Sequence, residues 1–200
     1  MLDARVTIDS KEVKEGLERL RLALPLGGSM QVPFESMGRV LKTGAQMRFR
    51  TTRGPDGSAW EKSFRAREEG GQTLSLTRRL RNSITYRASQ TSVEVGTNVV
   101  YAAIHQFGGT IRAKKGPFLS IPVTAQARAA GSPRNMPGLA VAQTLKGQFV
   151  LLESKSGTVH FLLRKQVTMP ARPFLGASDD DRIELLRVLQ SHYEGIWRRR

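Results

Sequence analysis

Residues 84–95 read Ile-Thr-Tyr-Arg-Ala-Ser-Gln-Thr-Ser-Val-Glu-Val. Ile84 and Tyr86 face one way on a first strand, Val93 and Val95 on a second, and Ser89-Gln90-Thr91 is the turn between them. A strand pair of this kind needs a partner for its apolar face, and the flanking segments supply helices. Upstream, Thr77–Asn82 reads as a short helix. A longer one opens at Pro33 and carries Phe34, Met37, Leu41 and Ala45 towards Phe49, although Gly38 and Gly44 each weaken it by about 1 kcal/mol. Between the two, Gly54-Pro55-Asp56-Gly57 marks a loop from Thr51 to Ala59 that Trp60 closes, and Arg65–Gln72 reads as exposed and mobile. At the start of the chain, Asp9 and Glu12 have capping-box spacing, with Ile8 and Val13 as the staple. Val13, Leu17, Leu20 and Leu24 form the apolar stripe of a first helix, which Pro25 and Gly27-Gly28 stop.

Downstream, Asn98 is placed to cap a helix that buries Tyr101, Ile104 and Phe107 and ends at Gly108-Gly109. A basic stretch, Thr110–Gln148, contains a strand at Phe118–Val123, a short helix at Thr124–Ala130 and a surface loop at Gly131–Gly138. Phe149–Glu153 and Val159–Leu163 flank Ser156-Gly157 as a hairpin. Pro170 and Pro173 bracket an extended segment, and Ser178 caps a last helix. The stripe of that helix is Ile183, Leu186, Leu189, Tyr193 and Ile196 or Trp197. Its three aspartates come first and Arg198–Arg200 last, as the helix dipole favours. The pattern predicts an α+β fold, a small, mostly antiparallel sheet flanked by helices with long amphipathic ones at both ends.

The chain has 200 residues and a net charge of +15, from 32 Lys+Arg against 17 Asp+Glu. This length accommodates one domain. The absence of cysteine excludes disulfide scaffolds, thiolate metal sites and cysteine nucleophiles. The opening Met1-Leu2-Asp3-Ala4-Arg5 lacks the apolar core of a signal peptide, and no apolar run is long enough to span a membrane. Ile111–Arg172 holds ten Lys/Arg and one acid, Glu153, whereas Met1–Leu20 is nearly balanced, with four basic and five acidic residues. Such a distribution favours polyanions or acidic protein surfaces as partners.

No catalytic constellation emerges. His105, His160 and His192 have neither the i, i+4 spacing nor the glutamate of a zinc protease helix. His105 reads as a surface or satisfied polar residue, and His160 as cross-strand packing. Asp179-Asp180-Asp181 reads as a helix cap, because adjacent acids in a helical turn diverge. There is no phosphate-binding glycine loop and no serine nucleophile motif. Arg112-Ala113-Lys114-Lys115-Gly116-Pro117-Phe118 comes nearest to a nucleic-acid face, but Phe118 opens an apolar strand and lacks the look of a stacking platform. No cofactor or metal is expected.

Four blocks are more distinctive. They are Trp60 after its Gly-Pro-Asp-Gly turn, Leu76-Thr77-Arg78-Arg79-Leu80-Arg81-Asn82-Ser83-Ile84, Tyr101-Ala102-Ala103-Ile104-His105-Gln106-Phe107-Gly108-Gly109, and Met169-Pro170-Ala171-Arg172-Pro173-Phe174-Leu175-Gly176. In this order, from about Phe34 to Tyr193, they resemble the phage virion morphogenesis family, tail-completion proteins of Mu-like and related tailed phages. The resemblance implies one domain over 1–200, with a basic insertion at about 110–166. It implies a non-enzymatic structural protein, assembled in the host cytoplasm and carried in the virion at the tail end or head–tail joint. Its implied partners are further copies of itself in a ring, expected to be a hexamer, neighbouring neck, connector and tail proteins, and packaged DNA through non-specific contact. Arg112, Lys114, Lys115, Arg198, Arg199 and Arg200 are then candidates for a surface facing DNA or a partner. Trp60, more readily a buried anchor, and Arg172, held between two prolines, are candidates for a subunit interface. The competing reading is a sequence-independent DNA-binding protein that uses the basic middle segment alone.

Overall fold

A computed structural model of the chain describes residues 5–6, 15, 30–114 and 116–198, without the side chains of 5, 6, 196 and 197. The predicted first helix lies outside the described residues except for Glu15, which is helical. The chain divides into two compact units, Met1–Phe107 with Ala171–Arg200, and Gly108–Pro170.

In the first unit, strands β1 (Arg5–Val6), β2 (Thr85–Ala88) and β3 (Val93–Gly96) form an antiparallel sheet in the order β1-β3-β2. Tyr86 pairs with Val95 and Ala88 with Val93, the alternation expected from residues 84–95. Helix α1 (Gln31–Thr51) packs across this sheet. It begins two residues before Pro33, whose missing N–H is harmless in a first turn. Its buried residues include Phe34, Met37, Leu41, Ala45 and Phe49, recurring at helical spacing. Both of its suspect glycines are places of close approach: a Cβ on Gly38 would meet the Tyr86 ring, and one on Gly44 would lie 2.9 Å from Asp181 Cγ. The helix accepts their poor propensity because a neighbour occupies the side-chain space.

Helix α2 (Phe64–Glu68) occupies part of the segment expected to be mobile. Ser63 caps it by accepting from the Ala66 N–H at 3.3 Å, and the Arg65 guanidinium donates to Gly70 O at 3.1 Å and Gln72 O at 2.6 Å. One arginine thus closes a loop that composition alone marks as open. Helix α3 (Arg79–Asn82) buries Leu80. Helix α4 (Ala102–Phe107) buries Ala102 and Gln106, contrary to the expected apolar side of Tyr101, Ile104 and Phe107. Tyr101 is 42% and Phe107 65% exposed, because the fold rotates the helix to bring an amide inward. Thr97 rather than Asn98 bonds the entering backbone, accepting from the Val99 N–H at 3.2 Å. Gly108 and Gly109 end the helix at φ 69° and 136°.

The second unit holds two antiparallel sheets. Strands β4 (Gly109–Arg112) and β9 (Gln166–Met169) form a ribbon. Strands β5 (Leu119–Pro122), β6 (Leu139–Gln143), β7 (Phe149–Glu153) and β8 (Val159–Arg164) form a sheet ordered β5-β8-β7-β6. The predicted hairpin is β7–β8, with a register shift at Leu151/Leu152. Sequence reading misses β4, β6 and β9, which are short and only weakly alternating. Helix α5 (Ala125–Ala130) is capped by Thr124 and buries Ala127 in a core with Val150 and Phe161. The expected loop at Gly131–Gly138 contains one 3-10 turn at Pro133–Asn135.

The last helix, α6 (Asp179–Trp197), returns to the first unit and packs on α1. Its predicted stripe is rotated: Ile183 is 49% and Leu186 66% exposed, whereas Asp181 is buried and Leu185 packs against the core. Asp181 sets this rotation. It accepts from the Ser178 N–H at 2.9 Å, returns its own N–H to Ser178 Oγ at 3.2 Å, and is ion-paired with Arg48. The aspartate triplet therefore caps the helix, as expected, and its third member also ties α6 to α1.

Candidate functional site

The four sequence blocks converge in the first unit. Phe174 enters the core and packs its ring 5.2 Å from that of Phe49, which meets Trp60 edge-on at 5.5 Å. Leu80, Ile84, Ala102 and Leu175 belong to the same cluster, so every block contributes to it.

The backbone of Pro170–Gly176 belongs to no strand or helix, and side chains satisfy most of its polar groups that are paired. Gln106 Oε1 accepts from the N–H groups of Phe174 and Leu175, both at 3.0 Å, while its Nε2 donates to Leu175 O at 3.0 Å. The Trp60 indole N–H donates to Pro173 O at 3.0 Å, and Arg48 Nη1 donates to Phe174 O at 3.1 Å. Arg172 N–H donates to His105 O at 2.7 Å. Gly176 sits at φ 145°, where an added Cβ would lie 2.8 Å from Pro55 Cγ. The Gly54-Pro55-Asp56-Gly57 turn is thereby seated on the end of the segment.

Trp60 and Arg172 are placed inside this junction, 6% and 3% exposed. Arg172 Nε donates to Glu61 O at 2.8 Å, and its Nη1 is buried without a hydrogen-bond partner among the described residues. Burial lowers the Arg172 pKa, with Glu61 opposing and Arg67 reinforcing the shift. His105, expected to be a surface or satisfied polar residue, is half-buried, and its Nδ1 has no hydrogen-bond partner among the described residues. Burial first, and then the charge of Arg172, lowers its pKa, so the neutral ring is favoured. Beside it lies a cavity of about 240 Å³ lined by Leu74, Leu76, Leu80, Tyr101, Arg65 and His105, among others. Of the polar residues that hold this junction, Gln106 lies in the third block and Asp181 in the aspartate triplet read as a helix cap, whereas Arg48 carries no sequence signal of its own.

Among the sequence-predicted cations, Arg112 lies exposed at the end of β4 and Lys114 just beyond it. The register brings Arg112 opposite Gln166, next to Lys165 and near Arg164, so the second unit gathers four cations at one end. None of the four makes an ion pair among the described residues, and the unit holds nine Lys/Arg against Glu153 alone. Arg164 and Lys165 are missed by sequence reading, because only the strand pairing brings them beside Arg112. Arg198 is exposed at the end of α6, apart in sequence from this cluster, and Lys115, Arg199 and Arg200 lie outside the described residues.

His160 is buried and bonded through Nδ1 to Thr124 Oγ1 at 2.9 Å, and that hydroxyl also accepts from the Ala127 N–H at 3.1 Å. The pair thus caps α5 and fills the core. Among the described residues no helix is long and apolar enough to cross a membrane, and no cluster of His, Asp and Glu has the makings of a metal site.

No curated protein and no solved structure matches the chain significantly. The profile of the phage virion morphogenesis family matches residues 8–137, more than half of the chain. The match takes in the first three blocks and stops short of Pro170–Gly176, which the structure joins to them through Gln106, Trp60 and Arg48. The chain is a member of the phage virion morphogenesis family, whose proteins have structural and assembly roles in the virion.

Proposed function

We propose that this protein is a structural subunit of a tailed bacteriophage that completes the tail or joins it to the head, working as a ring at the neck. Family membership carries the reading. The architecture supports it: the polar groups around Pro170–Gly176 are used to lock backbone, as a part required to hold its shape under load needs. The cations at the end of the second unit then face packaged DNA or an acidic neighbouring ring. Phosphate contact there carries no sequence information. Cryo-electron microscopy of intact virions tests this. A ring of the chain between portal and tail tube is the expected result, and absence from the particle overturns the reading.

The second reading is a DNA-binding protein that works through the middle segment, favoured by the cluster of Arg112, Lys114, Arg164 and Lys165. It requires duplex affinity that falls steeply with salt, through counterion release, and that is already present in the monomer.

A further inference from the structure

The cavity beside His105 is walled in part by residues that the core leaves unused. Leu80 and Ala102 carry the second and third blocks into the core, whereas Leu76 and Tyr101, from the same two blocks, line the cavity and remain exposed. Leu76 is 61% exposed, and the Tyr101 ring meets that of His105 edge-on at 5.9 Å. The Tyr101 hydroxyl makes no hydrogen bond among the described residues. At about 240 Å³ the space exceeds the ~150 Å³ apolar cavity that admits a benzene ring, and falls short of the ~300 Å³ at which drug-sized sites begin. It fits one bulky apolar side chain.

The wall is held in an unfavourable backbone conformation. Leu74 and Arg78, on either side of Leu76, sit at φ 61° and 59°, in the left-handed region that bulky L-residues seldom enter. Strain of this kind gathers at ligand clamps, and here it brackets the exposed Leu76. Charge around the same wall is one-sided. Leu74–Ile84 holds Arg78, Arg79 and Arg81 and no acid, and residues 97–107 hold no acid either. Arg78 and Arg79 are exposed, stand between the lining residues Thr77 and Leu80, and their side chains have no partner among the described residues. Arg65, which lines the cavity, donates only to carbonyls, so no acid neutralises it. The acids of α2, Glu68 and Glu69, do not line the cavity, and Glu61 is ion-paired with Arg67 at 3.8 Å.

We propose that this cavity is the docking socket for an acidic segment of another protein. The segment inserts one leucine or phenylalanine against Leu74, Leu76, Leu80 and Tyr101, and sets its carboxylates against Arg78 and Arg79. Charge selects this occupant. A second copy of the chain brings a further +15 and is repelled. A nucleobase satisfies the arginines but brings polar edges that a wall of leucines leaves unpaired. An acidic segment with an apolar anchor meets both demands: the buried anchor holds the complex, and the arginines at the rim steer and orient it. The socket lies within the first unit, so it is separate from the cations of the second. The inference does not depend on where in the virion the protein sits.

Titration of the isotope-labelled full chain with an end-capped heptapeptide of alternating Asp and Glu around a central Phe, followed by NMR, tests the proposal. Saturable shifts are expected at Leu76, Thr77, Tyr101 and His105. Affinity should fall about tenfold or more when the central Phe is replaced by Ala, and likewise when the acids are replaced by their amides. Leu76→Ser should weaken binding to a similar extent, as should Arg78→Asn combined with Arg79→Gln, where asparagine tolerates the positive φ, with circular dichroism unchanged. Arg112→Gln with Lys114→Gln, in the second unit, should bind as the wild type does. Absence of saturable shifts at millimolar peptide overturns the proposal. So does equal affinity for the Ala-centred peptide, or an equal loss in the second-unit variant, since either result means attraction by net charge alone. Tighter binding of a short DNA duplex at the same residues would assign the wall to nucleic acid, and shifts that grow with protein concentration alone would assign it to a second copy; both overturn it.

Discussion

Gln106 offers the sharpest test of the junction. Replacing it with leucine keeps the volume nearly constant, so the cavity contribution is small. What is lost is the acceptor shared by the Phe174 and Leu175 N–H groups and the donor to Leu175 O. Three backbone groups are then buried without partners, at about 1–3 kcal/mol each. Because two of them share one oxygen and relax together, the lower half of the sum applies, about 3–6 kcal/mol. That is a large part of the ~5–15 kcal/mol by which native domains are stable. Urea unfolding followed by tryptophan fluorescence measures it. A Trp197→Phe background leaves Trp60, itself bonded to Pro173 O, as the sole reporter. With a urea slope of about 2 kcal/mol per molar, the midpoint should fall by about 2 M at an unchanged slope. A loss below about 1 kcal/mol would refute the claim that side chains hold the Pro170–Gly176 backbone in place.

Asp181→Ala strands Arg48 as a buried, unpaired charge and should cost about 3–5 kcal/mol, whereas Arg48→Met with Asp181→Leu should recover part of that in a double-mutant cycle. Gly44→Ala should destabilise by about 1–3 kcal/mol despite better helix propensity, because its Cβ meets the Asp181 carboxylate; Gly195→Ala, with open space around it, should stabilise by up to about 1 kcal/mol in the same unfolding assay. The lowered pKa of His105 means that the unfolded chain binds a proton more readily than the folded one. Stability should therefore be fully present above the ordinary imidazole range and decline as pH falls through it, and His105→Asn should flatten that slope in pH-dependent thermal unfolding.

The strand pair at residues 84–95, helix α1 and the hairpin of β7 and β8 were legible because each repeats its pattern over several residues within one element. The rotations of α4 and α6 were not. In both, a polar residue wins the buried side over exposed apolar ones: Gln106 over Phe107, and Asp181 over Ile183 and Leu186. Hydropathy cannot rank those choices, since the preference comes from a partner far away in the chain. Glycine misleads for the same reason: Gly38 and Gly44 look like helix weaknesses until the Tyr86 ring and the Asp181 carboxylate arrive against them.

By itself, the sequence determined the α+β class, most element positions, the basic middle of the chain and the family, because these depend on local periodicity, composition and motif order. Tertiary structure alone decided what the blocks are for. Gln106 and Leu175 lie 69 positions apart, and Arg48 and Asp181 are separated by 133. No local pattern carries information across such distances; only the folded chain brings an amide and a guanidinium to backbone groups that would otherwise be buried without partners.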